Sequence, residues 1–331
     1  MNKAVLFVIF NRYDKAKIVF EQIRKAKPPR LYVVADGPRE NNKDDIINCK
    51  KTREIIKEVD WQCDVKTLFR EKNMQCGPSL TGGISWAFEY EEDLIILEDD
   101  CVAEEAFFYF CESLLDYYKD NEQIMSISGV NSGNYKSETV SYSFFSMMSG
   151  IWGWATWKRV WKNYKFYIRD IYPPEDVYKK LNELFDDSNI INFWMHIYDL
   201  SSEGKALYEW SYQLHFQIIM NNGLSILPNE NYVINIGTPE CVKNPKKIKE
   251  LLDNRQYHNI PNTFIHPEIK RSKYADYIIA RAVGDEYIRI CNNNIVESMN
   301  YIIETIIWFI PTKFFRNKLR DFFRKKVPLY K

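Results

Sequence analysis

The run Leu94-Ile95-Ile96-Leu97-Glu98-Asp99-Asp100 constrains this chain most, because four apolar residues lead directly into three carboxylates. A short, uninterrupted apolar run suits a strand buried on both faces, the arrangement of a parallel sheet. Acids at the C-terminal end of such a strand stand where open α/β sheets hold their ligands. Alternation along a strand would send Glu98 and Asp100 one way and Asp99 the other. Adjacent carboxylates repel and retain protons unless a cation or hydrogen-bond donors compensate. A divalent cation bridging to a diphosphate would supply that compensation. A solvated acidic turn after a core strand would give the same pattern.

The preceding chain narrows the choice. Val5-Leu6-Phe7-Val8-Ile9-Phe10 is a continuous apolar strand, followed by Asn11-Arg12. A helix is expected from Tyr13 to Lys27, with Ile18, Val19 and Ile23 on one face, and Pro28-Pro29 stops it. A second strand, Leu31 to Ala35, ends in Asp36-Gly37-Pro38. A third, Val65 to Phe69, ends in Arg70-Glu71-Lys72-Asn73. Gly77 to Tyr90 reads as a helix weakened by Gly82-Gly83 at roughly 1 kcal/mol each. The acidic strand is then the fourth. Polar residues at four strand ends make a site if the strands share one sheet edge.

The ordered set Phe10-Asn11-Arg12, Ala35-Asp36-Gly37-Pro38 and Leu97-Glu98-Asp99-Asp100 resembles the GT-A fold glycosyltransferases. The nearest pattern is that of bacterial nucleotide-sugar transferases similar to animal N-acetylglucosaminyltransferase I. The resemblance extends through Glu105 to Cys111, Gly150 to Trp157, Asn222 to Pro228 and Asn235-Ile236-Gly237, and so covers roughly residues 3–240. It implies an α/β fold with a Rossmann-like, mixed but mainly parallel sheet flanked by helices. Residues 1–265 would form the transferase domain, and residues 266–331 a C-terminal helical appendage.

The same resemblance implies roles. Asp100 would bind the metal, Mn²⁺ or Mg²⁺, that bridges the donor diphosphate. Asp99 and Glu98 would bond the ribose or donor sugar, or hold metal-bound water. Asp36 would bond the base, and Phe10, Asn11, Arg12 and Arg70 would line the nucleotide site. Oxygen-rich sites of this kind suit such ions, which keep several waters. The ion stabilises charge developing on the departing nucleoside diphosphate. The sugar passes through an oxocarbenium-like state.

An inverting transfer also needs a base opposite the leaving group. Relatives carry Trp-Asp-Tyr-Gln where this chain has Trp210-Ser211-Tyr212-Gln213, so Glu209 is the nearest carboxylate. Glu209 is the candidate base; a surface acid there, with the base elsewhere or activity lost, is the alternative. After Gly237 the chain reads Thr238-Pro239-Glu240-Cys241, without the late His that relatives carry as a further ligand. Four of nine tryptophans lie between Trp152 and Trp161. Aromatic faces stack on sugars, and Trp152-Gly153-Trp154 is the candidate acceptor or sugar site. Trp157 and Trp161, spaced i and i+4, are expected to pack a helix into the core.

Formal charge is zero, with 45 basic and 45 acidic residues, so nothing electrostatic points to nucleic acid. Seven dispersed cysteines without CxxC spacing, and no secretory signal before the first strand, point to the cytoplasm. The four histidines show no metal-ligand spacing. The Gly237 to Asn262 stretch is expected to be a loop with a short helix at its centre. Tyr301 to Ile310 is apolar but too short to span a bilayer. Residues 312–331 carry eight Lys or Arg and one Asp. With Phe on one half of a helical wheel and Arg on the other, residues 311–331 fit an interfacial helix on anionic lipid.

The reading is a glycosyltransferase moving a sugar, from a UDP-sugar in the first instance, to a glycan or lipid-linked acceptor in surface polysaccharide or lipopolysaccharide assembly. It would sit on the inner face of the plasma membrane. One alternative is a nucleotidyltransferase, which usually carries a Gly-rich loop that Phe10-Asn11-Arg12-Tyr13 lacks. Another is a degenerate transferase that only binds sugar nucleotide or glycan.

Overall fold

The computed structural model describes residues 1–137, 142–202, 210–244, 246–255, 258, 266–284 and 318. Met1–Ile279 forms one compact unit and Ala280–Lys331 a second. The chain opens with β1 (Val5–Ile9), α1 (Tyr13–Ala26), β2 (Arg30–Ala35), α2 (Lys43–Arg53), β3 (Asp64–Phe69), α3 (Cys76–Ala87) and β4 (Asp93–Glu98). These four strands pair in parallel in the order β3-β2-β1-β4. The apolar runs read from sequence are therefore buried strands. Leu94 to Leu97 and Val5 to Phe7 are fully buried.

Local chemistry explains the helices between them. α1 buries Ala16, Val19, Phe20, Ile23 and Ala26, a stripe at three- and four-residue spacing. It ends at Lys27, which takes a left-handed conformation before Pro28-Pro29. α3 keeps its two glycines for a packing reason. A Cβ on Gly83 would lie 2.7 Å from Val34 Cγ1, so the glycine lets the helix settle directly on β2.

The rest of the sheet departs from simple alternation. After β5 (Cys101–Ala103) come α4 (Glu105–Tyr117), β6 (Ile124–Ser128), β7 (Ser143–Ser146) and β8 (Trp154–Trp157). Then follow α5 (Lys158–Trp161), α6 (Pro174–Leu184), α7 (Ser188–Ser202), α8 (Ser211–Met220), β9 (Leu224–Pro228), β10 (Val233–Asn235), α9 (Pro239–Lys243) and α10 (Lys246–Asp253). The sheet runs β3-β2-β1-β4-β8-β6-β9-β7. β8 is antiparallel to both β4 and β6, β6 and β9 are parallel, and β7 is antiparallel to β9. The fold is thus α/β, with a mixed but mainly parallel sheet flanked by helices. β5 and β10 form a separate antiparallel pair beside the end of β4.

Two local expectations change. Trp157 closes β8 and precedes α5, so it does not share a helix with Trp161, although both are buried. The stretch after Gly237 holds two short helices, α9 and α10. Residues 273–284 are helical. Buried Asp276 ties this segment to β7 by accepting from Ser146 Oγ at 2.6 Å and Met147 N at 2.8 Å. Among the described residues no helix is long and apolar enough to cross a membrane.

Candidate functional site

Parallel pairing brings the ends of β1, β2, β3 and β4 to one edge of the sheet. A cavity of about 390 Å³ opens there. Its walls include Phe10, Asn11, Arg12, Asp36, Glu98 and Asp99, all candidates from the sequence. Arg39, Asn73 and Cys76 line it too and had not been singled out. Arg39 sits just beyond Asp36-Gly37-Pro38, and Asn73 closes the polar tail of β3. Their adjacency to strand ends was the available signal. Arg70 lies behind the wall, with its Nη2 3.5 Å from the Ser79 carbonyl.

The acids are gathered by Arg12. β4 ends at Glu98, and Asp99-Asp100 form a turn into β5. That turn breaks the strand alternation that would have separated Asp99 from Asp100. Arg12 donates from Nη2 to Asp99 Oδ1 and from Nε to Asp99 Oδ2 at 3.3 Å, while its Nη1 lies 3.0 Å from Asp100 Oδ2. The Phe10 amide also approaches Asp99 Oδ2 at 3.4 Å. Burial disfavours the Asp99 carboxylate, Arg12 favours it and Asp100 repels it; the net effect is a raised pKa. Burial also opposes the guanidinium charge, but Asp99 and Asp100 outweigh it and raise the pKa of Arg12.

Asp36 and Asp45 shape the walls. Asp36 is 7% exposed and accepts from Gly37 N at 2.9 Å, Met74 N at 2.9 Å and Asn73 Nδ2 at 2.9 Å. It therefore clasps the loop after β3 as well as facing the cavity. Burial raises its pKa despite these donors. Asp45, in the first turn of α2, accepts from Asn11 Nδ2 at 2.7 Å and from Arg39 Nη2 at 2.9 Å. Hydrogen bonding by Arg39 pulls its pKa down to about 2. Arg39 in turn lies over the Phe10 ring, 5.7 Å from its centroid. One carboxylate on a neighbouring helix thus fixes two cavity residues.

Asp100 meets the strand that returns through β10. Ile236 N donates to the Asp100 carbonyl at 2.8 Å. A Cβ on Gly237 would lie 2.0 Å from Asp100 Oδ2, so the glycine leaves the carboxylate's flank bare. Among the described residues no three His, Cys, Asp or Glu side chains cluster as a metal cage. The donor chemistry still fits an Mn²⁺ or Mg²⁺ ion held by one protein carboxylate, because these ions keep water and phosphate ligands. Asp100 is the carboxylate that fits. Asp99 is committed to Arg12 through both oxygens.

The aromatic segment divides. Trp154 is 1% exposed, and its ring stacks on Trp210 at 5.5 Å. It faces the core and presents no ring face to a sugar, because β8 lies between β4 and β6 in the sheet interior. Trp152 is partly buried, and Gly153 turns the chain with φ +64°. Glu209 lies outside the described residues, as does the 311–331 tail apart from Lys318. Ser211, where relatives carry an acid, starts α8 and is 7% exposed.

No protein-family model matches the sequence, and no curated protein matches it. Among solved structures, S. aureus TarS 1-349 is similar over 70% of this chain, at 10% identity and a TM-score of 0.39. The match spans only 60% of that TarS chain. The mannosyltransferase PcManGT from Pyrobaculum calidifontis, in complex with GDP-Man and Mn²⁺, is similar at 10% identity and a TM-score of 0.34, over 66% of this chain and 68% of that one. The 4-diphosphocytidyl-2C-methyl-D-erythritol synthase from Anaerococcus prevotii is similar at 11% identity and a TM-score of 0.36, over 75% of this chain and 99% of that one. Likeness of this degree assigns neither family nor activity.

Proposed function

We propose that this protein is a glycosyltransferase that takes a sugar from a nucleoside-diphosphate donor, a UDP-sugar in the first instance. The acceptor is a glycan or lipid-linked glycan in surface polysaccharide assembly. One observation carries this reading. Aromatic, amide, basic and acidic side chains from different strand ends line one cavity, beside an acidic turn held by an arginine. Such a cavity can take a base and ribose between Phe10, Arg39, Asp36 and Asn73, with the diphosphate towards Arg12 and Asp100.

Each residue has a chemical task in this reading. Asp36 and Asn73 offer an acceptor and an amide for the base. Glu98 and Asp99 offer acceptors for ribose or sugar hydroxyls. Arg12 orients the acids and adds positive charge near the leaving group, where fixed charge is most effective. Asp100 would hold the divalent ion, which when bound neutralises charge on the departing diphosphate. Glu209 is the proposed base that takes the acceptor hydroxyl proton during in-line attack. Residues 311–331 would keep the enzyme on anionic lipid near its acceptor.

The test is a thermal-shift panel of nucleoside diphosphates and their sugars with Mn²⁺, run on the parent and on Asp100→Ala. UDP should stabilise the parent in an Mn²⁺-dependent manner and lose that effect in the variant. A parent that responds to no nucleoside diphosphate would overturn the reading. For the tail, deletion of residues 311–331 should release the protein from anionic liposomes and preserve UDP binding. Equal sedimentation with and without the tail would reject the membrane role.

A further inference from the structure

Lys15 is the one residue around the acidic turn whose position is unexplained by the contacts described above. It lies in the first turn of α1, three residues after Arg12, so the two side chains share a helix face. Its Nζ is buried and has no hydrogen-bond partner. An ammonium out of water and without an acceptor is costly. The charged groups it faces are Arg12 on its own helix, Asp99 and Asp100 in the turn after β4, and the thiol of Cys241 on α9. Arg12 repels it. Asp99 and Asp100 attract it, but the Arg12 guanidinium already engages both Asp99 oxygens and Asp100 Oδ2. Burial and Arg12 together lower the Lys15 pKa, against the pull of the two acids.

A cation kept in this way lacks an anion. We propose that Lys15 binds the diphosphate of the nucleotide, its ammonium donating to phosphate oxygens on the same side as Arg12. The inference rests on the donor-site reading above and adds a residue to it. Arg12 has a rigid fork and is occupied by the acids, whereas Lys15 carries a compact point charge on a flexible stem that can turn to a phosphate. The apo protein bears the cost of the unpaired ammonium, and the ligand relieves it. A purely structural Lys15, serving as a spare counter-charge to Asp100, would behave in the opposite way.

The two cases separate in one experiment. Lys15→Met keeps the length of the side chain and removes its charge. Calorimetric titrations with UDP, inorganic pyrophosphate and uridine, all with Mn²⁺, are compared for the parent, Lys15→Met and Lys15→Arg. Lys15→Met should weaken UDP and pyrophosphate roughly ten- to a hundredfold, the range for a hydrogen bond to a charged group. Uridine affinity should not change, and Lys15→Arg should retain most of the UDP affinity. Unfolding of the ligand-free Lys15→Met variant should need as much urea as the parent or more. If UDP and pyrophosphate bind Lys15→Met and the parent equally, the inference fails while the donor-site reading stands. A ligand-free Lys15→Met that is clearly less stable, with diphosphate affinity intact, assigns the structural role and also overturns it. A parent that binds neither UDP nor pyrophosphate overturns both.

Discussion

Replacing Arg12 by Met tests how the acidic turn is held. The substitution keeps most of the apolar stem and removes the guanidinium. It leaves the Asp99 carboxylate, 3% exposed at its side chain, without its principal counter-charge, and Asp100 at 13% without its nearest one. Breaking a buried pair by removing one partner costs about 3–5 kcal/mol. The Arg12 side chain is 40% exposed, so water already screens part of the interaction, and the expected loss is about 2–3 kcal/mol at pH 8. The pH dependence has a definite sign. The pKa of Asp99 in the folded protein already lies above its ordinary value of 3.8, and losing Arg12 raises it further. A carboxyl with a raised folded pKa binds more protons in the folded state, so stability falls as pH climbs from the unfolded value towards the folded one. One proton limits the slope to about 1.4 kcal/mol per pH unit. The deficit of Arg12→Met should therefore be larger at pH 8 than at pH 5. Urea unfolding of the parent, Arg12→Met and Arg12→Met with Asp99→Asn provides the assay, and the double variant should lose less than the single one. Equal unfolding free energies at pH 8, or a deficit that ignores pH, would refute the argument.

Gly237→Ala forces a Cβ to within 2.0 Å of Asp100 Oδ2. Overpacking of this kind costs about 1–3 kcal/mol, and Mn²⁺-dependent UDP binding should weaken with it; unchanged melting and affinity would count against the cradle. Asp36→Ala removes the clasp on Asn73 and Met74 and should weaken UDP binding by about 1–3 kcal/mol, which a calorimetric titration reads directly. Asp45→Asn loosens Asn11 and Arg39. Because the Asp45 pKa is depressed from 3.8 to about 2, its contribution is complete above the unfolded value and lost as pH falls through the folded one. Arg39 is largely exposed, so the difference between parent and variant should be about 1 kcal/mol or less at pH 6 and should narrow in acid; a difference that widens there would reject the pairing. Glu209→Gln should retain donor binding and lower transfer by about 10²–10⁴-fold, and transfer at the parental rate would remove Glu209 as the base.

The sequence alone determined the strands, the order in which they occur and the polar residues that close them. Those properties are local. A buried strand needs a continuous apolar run, and the residues beyond its end must be polar because the chain there leaves the sheet. Phe10, Asn11, Arg12, Asp36, Glu98 and Asp99 were legible for that reason, and parallel pairing of four strands was enough to bring them to one cavity. Only the tertiary structure decided how they meet. Asp99 and Asp100 turn towards one guanidinium because the chain bends between β4 and β5, which no alternation rule contains. Asp45 fixes Asn11 and Arg39 from another helix, and Gly237 lies against Asp100 because β10 pairs with β5. Trp154 looked like a sugar platform by composition, yet an antiparallel strand inserted between β4 and β6 buries it. Side-chain pairing across the fold depends on strand register and chain direction, and periodicity along a sequence records only which residues leave water.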